Sequence, residues 1–190
     1  MKLSPSALAL AAFSIAYPIL AMIAIRTIGP WPVVGLLCAM LVLRSVVDVF
    51  GAASSPLTLA LLAVAVAVGG FSAFDPERAV RLYPVFMNAA MLTAFALTLA
   101  RPPSMIERFA RVTEPDLPPS GVRYTRHVTT AWCLFFIANG SIALWTALFA
   151  DLQVWALYNG LIAYLAMGAL FAIEFVIRGR VKARDALEHS

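Results

Sequence analysis

Two groups of polar side chains stand out in a chain that is otherwise mostly apolar. The first sits at the ends of apolar runs and comprises Arg44, Asp48, Arg123, Arg126, His127 and Glu174. Arginine offers paired N–H donors to phosphate or carboxylate, so a ring of this kind could grip an anionic headgroup or a carrier-bound phosphate. Basic residues also belong at membrane edges as anchors and topology signals, which is the plainer role. Asp48 and Glu174 are costly beside lipid unless paired, and Arg44 and Arg126 are the expected partners. The second group, Asn88, Asn139, Ser141, Tyr158, Asn159 and Tyr164, lies inside the apolar runs. From the run boundaries, Asn88 and Asn159 fall about five residues inside one face, which predicts a bond between them or a shared polar pocket. The plainer role is interhelical hydrogen bonding worth roughly 0.6 to 2 kcal/mol per bond. No ionisable residue marks a proton or ion path at the middle of a run.

Other chemistry finds little footing. His127 and Glu174 could serve as acid and base on a lipid-linked acyl group, but no H-x-x-x-H, H-E-x-x-H, G-x-S-x-G, Walker or Gly-rich dinucleotide sequence accompanies them. Cys38 and Cys133 both fall inside apolar runs and read as small buried hydrophobes. Trp132, Phe135, Phe136, Trp145 and Trp155 read as packing residues and interface anchors. No catalytic residue, metal or cofactor is therefore expected, and the chain reads as non-enzymatic.

The elements that must position these groups follow from composition. Of 190 residues, 62% are hydrophobic and 13% charged, where soluble domains carry roughly 25% charged residues. A soluble globule of this size cannot hide so much apolar surface, so lipid is the expected solvent. Helices satisfy their backbone internally, and the continuous Ala- and Leu-rich runs suit them better than alternating barrel strands. The expected architecture is all-α, one integral membrane domain over residues 1–190. Its spans are 6–25, 31–50, 56–73, 83–100, 128–149 and 154–177, and the last two form a hairpin across the short polar break Asp151 to Gln153. Small-residue triplets that resemble signal cleavage sites open the first run instead of closing it, so the first helix is expected to be retained. Pro18 is expected to kink it. Gly69-Gly70 allows close approach of a neighbouring backbone.

The loop 101–127 is the one long polar segment. Ser104 and Glu107 have capping-box spacing, which predicts a short helix over 104–112 lying flat at the lipid surface on Met105, Ile106, Phe109 and Val112. The following Glu114 to Gly121 stretch, with three prolines, predicts no helix. The tail 178–190 is charged and expected to fray. Lys2, Arg44, five arginines in the loop and four basic residues in the tail make eleven on one side, against Arg26, Arg78 and Arg81 on the other. The basic side is cytoplasmic, which predicts both termini inside. The net charge of +4 thus reflects orientation rather than nucleic-acid binding.

Arg101-Pro102-Pro103, Ile106-Glu107-Arg108, Ala131-Trp132-Cys133-Leu134-Phe135-Phe136, Gly140 and Trp155 occur in an order that resembles the bacterial inner-membrane septation protein A family. The likeness covers roughly residues 31 to 178 and is nearest to a divergent branch, some members of which are encoded beside aryl-polyene and fatty-acid-type synthesis enzymes. Thr129 and Ala143 stand where that family tends to carry Asn, and Asn159 where it has Lys or a similar polar residue. The resemblance implies a role in cell-envelope or lipid homeostasis, and it implies no reaction. The first functional expectation is an inner-membrane accessory or scaffold whose basic loop and tail meet anionic lipid headgroups and synthesis enzymes. The alternative is a small lipid or polyprenyl carrier, a homo-oligomer, using the groove around Asn88 and Asn159.

Overall fold

The computed structural model describes the backbone of residues 5–51 and 56–188 and the side chains of residues 17–43 and 58–181. Among these residues every regular element is helical: α1 (Pro5–Ile28), α2 (Pro30–Gly51), α3 (Pro56–Ser72), α4 (Pro76–Ala100), α5 (Met105–Thr113), α6 (Pro119–Phe149), α7 (Leu152–Leu157), a π-helical turn (Tyr158–Ile162) and α8 (Ala163–Glu188). Three stretches are long and apolar enough to cross a membrane: Pro76–Ala100, Pro119–Phe149 and Leu152–Val181. The described parts of α1, α2 and α3 are shorter apolar helices. Large apolar side chains such as Val66, Phe149 and Phe175 cover the outside of these helices, a surface suited to lipid.

Local chemistry sets the helix ends. Gly29, at φ +85°, makes the left-handed turn that separates α1 from α2, a conformation glycine adopts without steric cost. Asp75 accepts a hydrogen bond from the Arg78 N–H at 2.9 Å, and Pro76 opens α4, where its missing N–H costs nothing. Pro119 opens α6 in the same way. Asp151 accepts from the N–H groups of Gln153 and Val154 at 2.9 and 2.8 Å, fixing the hairpin where the polar break predicts it.

Several expected boundaries shift. α4 begins at Pro76 instead of 83 and α6 at Pro119 instead of 128, so the last three residues of the stretch expected to be non-helical are helix. At 31 residues α6 spans about 46 Å, well beyond a hydrocarbon core of about 30 Å, so its first turns project from the apolar run. The backbone of α8 continues helical through the tail to Glu188. α1 runs helically through Pro18.

The core has two parts. Val33, Val34, Leu37 and Leu41 of α2 pack with Leu61, Val64 and Val68 of α3, Val80 and Leu82 of α4, and the fully buried Trp155. Phe95 of α4, Met105 of α5 and Trp132, Cys133 and Phe136 of α6 form the second cluster. Among the described glycines, the closest contacts between helices are at Gly140 and Gly160, not at Gly69-Gly70. A Cβ on Gly140 would lie 3.0 Å from Asn88 Cβ, and one on Gly160 3.3 Å from Ile19 Cγ1. Gly69 meets only Cys38 Sγ, at an ordinary 3.7 Å.

Candidate functional site

Pro84 starts the construction of the site. Inside α4 it has no N–H to give the carbonyl of Val80 one turn earlier. The Tyr17 hydroxyl of α1 donates to that carbonyl at 3.4 Å, and the Tyr17 ring meets Tyr83 edge-on at 5.0 Å. One turn beyond Pro84 comes Asn88, whose Nδ2 donates to the Pro84 carbonyl at 2.8 Å. This anchors the amide with Oδ1 turned toward α6.

Asn139 of α6 completes the junction. Its Nδ2 donates to Asn88 Oδ1 at 3.0 Å, and its Oδ1 accepts from the Tyr158 hydroxyl at 2.9 Å. The chain of bonds therefore crosses three helical segments within the bundle, and the adjacent Gly140 lets α4 come close enough for the amides to meet. Asn159, next in the π-helical turn, donates to the Trp155 carbonyl at 2.9 Å and to Thr146 Oγ1 at 3.3 Å. A π turn carries one extra residue per turn, which rotates Tyr158 and Asn159 out of α-helical register; such insertions recur at functional sites.

All four predicted intramembrane residues, Asn88, Asn139, Tyr158 and Asn159, thus gather in one place, but with different partners from those expected. Asn88 bonds to Asn139, and Asn159 bonds to Thr146. A helix starting at 83 puts Asn88 near one face; the actual start at Pro76 moves it inward. From Pro76, Asn88 lies about 18 Å along at 1.5 Å per residue, near the middle of the span.

Beside this junction is a cavity of about 510 Å³, within the roughly 300–1,000 Å³ of typical ligand sites. Asn88, Asn139 and Asn159 reach its wall, and the rest is aromatic and aliphatic, with Met40, Met87, Met91 and Met167 among the lining side chains. Methionine is unbranched and polarizable, so a wall rich in it adapts to flexible apolar occupants. No group of His, Cys, Asp or Glu among the described residues could hold a metal ion.

Of the cytoplasmic-end cluster expected from the sequence, the described residues Arg123, Arg126, His127 and Glu174 make separate contacts. Arg126 donates to the carbonyl of Leu99 at 3.1 Å, closing the end of α4. Glu174 pairs with Arg178 at 3.8 Å instead of Arg126, and the Tyr124 hydroxyl lies 3.2 and 3.3 Å from its carbonyl and carboxylate oxygens. Arg123 and His127 are exposed on α6, and no hydrogen bond joins His127 to Glu174 among the described residues. Arg44 and Asp48 lie outside the described side chains.

Comparison with protein families, characterised proteins and solved structures finds no match to this chain.

Two structural side chains escaped the sequence reading. Arg81, counted there only as an outer charge, reaches from α4 to the end of α6 and donates to the carbonyls of Thr146, at 3.1 Å, and Ala150. Its own carbonyl accepts from Trp155 Nε1 at 3.0 Å, so α4, α6 and α7 are locked together at that end of the bundle. Tyr17 lies within the first apolar run, and the sequence signal that marks its role is Pro84, which frees a carbonyl deep in α4. The short helix α5 is tied down as well. Ile106 N–H donates to Thr129 Oγ1 at 3.2 Å, and Glu107 is buried against Arg111 at 2.8 Å. Met105 and Ile106 face the bundle, whereas Phe109 and Val112 remain exposed, so only part of the expected apolar arc is free to meet lipid.

Proposed function

We propose that this chain is an inner-membrane protein of six spans, with both termini cytoplasmic, that retains the hydrocarbon chain of a lipid or polyprenyl-type molecule in its intramembrane cavity. It acts as a non-catalytic accessory in envelope or lipid metabolism, in keeping with its resemblance to the septation protein A family. The observation that carries this reading is the methionine-lined cavity of about 510 Å³ with three asparagine amides at its wall. Hydrocarbon fills the apolar wall, and an ester, hydroxyl or double bond along the chain can meet an amide.

This reading is preferred to a docking role for the basic loop. Three of the arginines on which docking would rest hold the loop itself: Arg108 donates to the Pro103 carbonyl at 2.9 Å, Arg111 to Glu107 and to the Pro115 carbonyl, and Arg126 to Leu99. Native mass spectrometry of the protein released from mild detergent tests the proposal. Wild type is expected to carry a bound lipid-mass adduct. Asn88→Leu and Met91→Trp, which remove an amide and fill the cavity, should lose it. Thr93→Val, on the exposed side of the same helix, should keep it. A bare wild-type protein, or equal adducts in all four proteins, refutes the proposal.

A further inference from the structure

The hydrogen-bond direction of the amide junction is fixed from one end. The Pro84 carbonyl only accepts, so Asn88 must turn Nδ2 toward it, at 2.8 Å, and Oδ1 toward Asn139. Asn139 then faces Asn88 with Nδ2, at 3.0 Å, and its Oδ1 accepts from the Tyr158 hydroxyl at 2.9 Å. Both amide oxygens are engaged. Each Nδ2 has spent one of its two hydrogens, and the second has no acceptor among the described residues. Both amides line the inner cavity, and Asn139 is more than nine-tenths buried.

A third donor lines the same cavity. Trp132 is buried, and its Nε1–H meets no acceptor among the described residues. It precedes Asn139 by seven residues, so the two lie on one side of α6, about 10.5 Å apart along the axis. The other polar groups of the wall are committed. Tyr17 gives its proton to the Val80 carbonyl, and Tyr83 and Tyr164 are engaged as well. Asn159 gives both amide hydrogens, to the Trp155 carbonyl and to Thr146 Oγ1, whose own proton goes to the Ala143 carbonyl. Asn159 therefore keeps only an oxygen, and it is tied to Thr146, two turns beyond Asn139 on α6. Three N–H donors thus stand against one amide oxygen set apart from them.

Building on the lipid-retaining reading of this cavity, we infer that its preferred occupant is a quinone with a hydrocarbon tail. A quinone ring carries carbonyl oxygens at opposite edges and no O–H or N–H. One carbonyl accepts from the Asn88 and Asn139 amides and the other from Trp132 Nε1. The ring packs among Phe95, Phe136 and the thioethers of Met87 and Met91, and the tail takes the remaining apolar wall. Other membrane lipids fit less well. Glycerophospholipid esters stay at headgroup level, whereas Asn88 lies about 18 Å along α4, near the middle of the span. No charged side chain among the described lining residues receives a headgroup. A quinol or an alcohol brings a proton that meets N–H groups where it needs an acceptor. The site therefore favours the oxidised ring.

The test uses the full-length protein in phosphatidylcholine nanodiscs loaded, in separate anaerobic samples, with a decyl-tailed benzoquinone, its quinol or an alcohol of matching length. Native mass spectrometry should show quinone adducts about threefold or more above the other two, the factor that one average hydrogen bond within a membrane protein supplies. Infrared spectra of the quinone labelled with carbon-13 at its carbonyls should place the bound C=O stretches below those in empty nanodiscs. Trp132→Phe, which keeps a ring and drops the donor, and Asn139→Leu should each cut the quinone preference about threefold. Trp145→Phe, at an exposed position of α6, should leave it unchanged. Equal adducts of the three compounds, or more of the quinol or alcohol, overturn the quinone assignment while the hydrocarbon-retaining reading stands. If no compound gives an adduct, both fall. An unshifted C=O stretch, or a preference unchanged in both Trp132→Phe and Asn139→Leu, overturns the assignment of the donors.

Discussion

Replacing Gly140 with alanine should push α4 from α6 and weaken the amide junction at the centre of the bundle. An added Cβ would sit 3.0 Å from Asn88 Cβ, where carbon pairs are most favourable at about 3.5–4.0 Å. The neighbouring atom is a Cβ and cannot swing away by rotating a side chain, so the helices must part by a few tenths of an ångström. The Asn139–Asn88 bond starts at 3.0 Å, and this displacement stretches it toward the roughly 3.5 Å at which a hydrogen bond is lost. Overpacking costs about 1–3 kcal/mol, and an interhelical bond in a membrane protein is worth about 0.6 kcal/mol on average and up to about 1.7. Gly168→Ala is the matched control, because a Cβ there meets no heavy atom within 4 Å and gains the same helix propensity. Equilibrium unfolding in mixed micelles of rising SDS fraction, followed by circular dichroism, should place the two variants about 2–4 kcal/mol apart. Asn88→Gly combined with Gly140→Ala should recover part of the overpacking loss. If Gly140→Ala unfolds at the same SDS fraction as Gly168→Ala, the close-approach reasoning is refuted.

Arg81→Met should destabilise the bundle by about 1.5–3 kcal/mol by leaving the terminal carbonyls of α6 without their donor, and thermal melts in detergent should show Arg81→Lys restoring only part of the loss. Thr129→Val keeps the side-chain shape but removes the acceptor of the Ile106 N–H. Loss of about 1 kcal/mol there should speed hydrogen exchange of the first α5 amides about fivefold, with the global melt little changed; unchanged exchange would show that α5 is held by its apolar contacts alone.

The sequence makes most helices legible, because apolar length and turn chemistry act locally. Gly29 with its neighbouring prolines, Pro56 and Asp151 all lie at or next to the structural breaks. It is less legible where polarity and helicity part company. Residues 76–82 and 119–127 carry charges, prolines and a glycine, so hydropathy excludes them from the spans. Asp75-Pro76-Glu77, a cap, a first-turn proline and a first-turn acid, was the better guide. The site residues themselves were recognisable as amides and a phenol in the wrong solvent. Their pairing was not, because it depends on the true start of α4 and on a π turn at 158–162 that no periodicity announces. The Trp132–Phe171 ring contact joins residues 39 positions apart on two helices whose mutual lean is a tertiary property.

The claim that hydrocarbon occupies the centre of this bundle can be read directly by nuclear magnetic resonance. With the protein deuterated except at methionine methyl groups and placed in protonated phospholipid nanodiscs, Met87, Met91 and Met167 should show Overhauser contacts to acyl-chain methylenes and none to water. Methyl contacts to water, or no contact to lipid from these three, would contradict it.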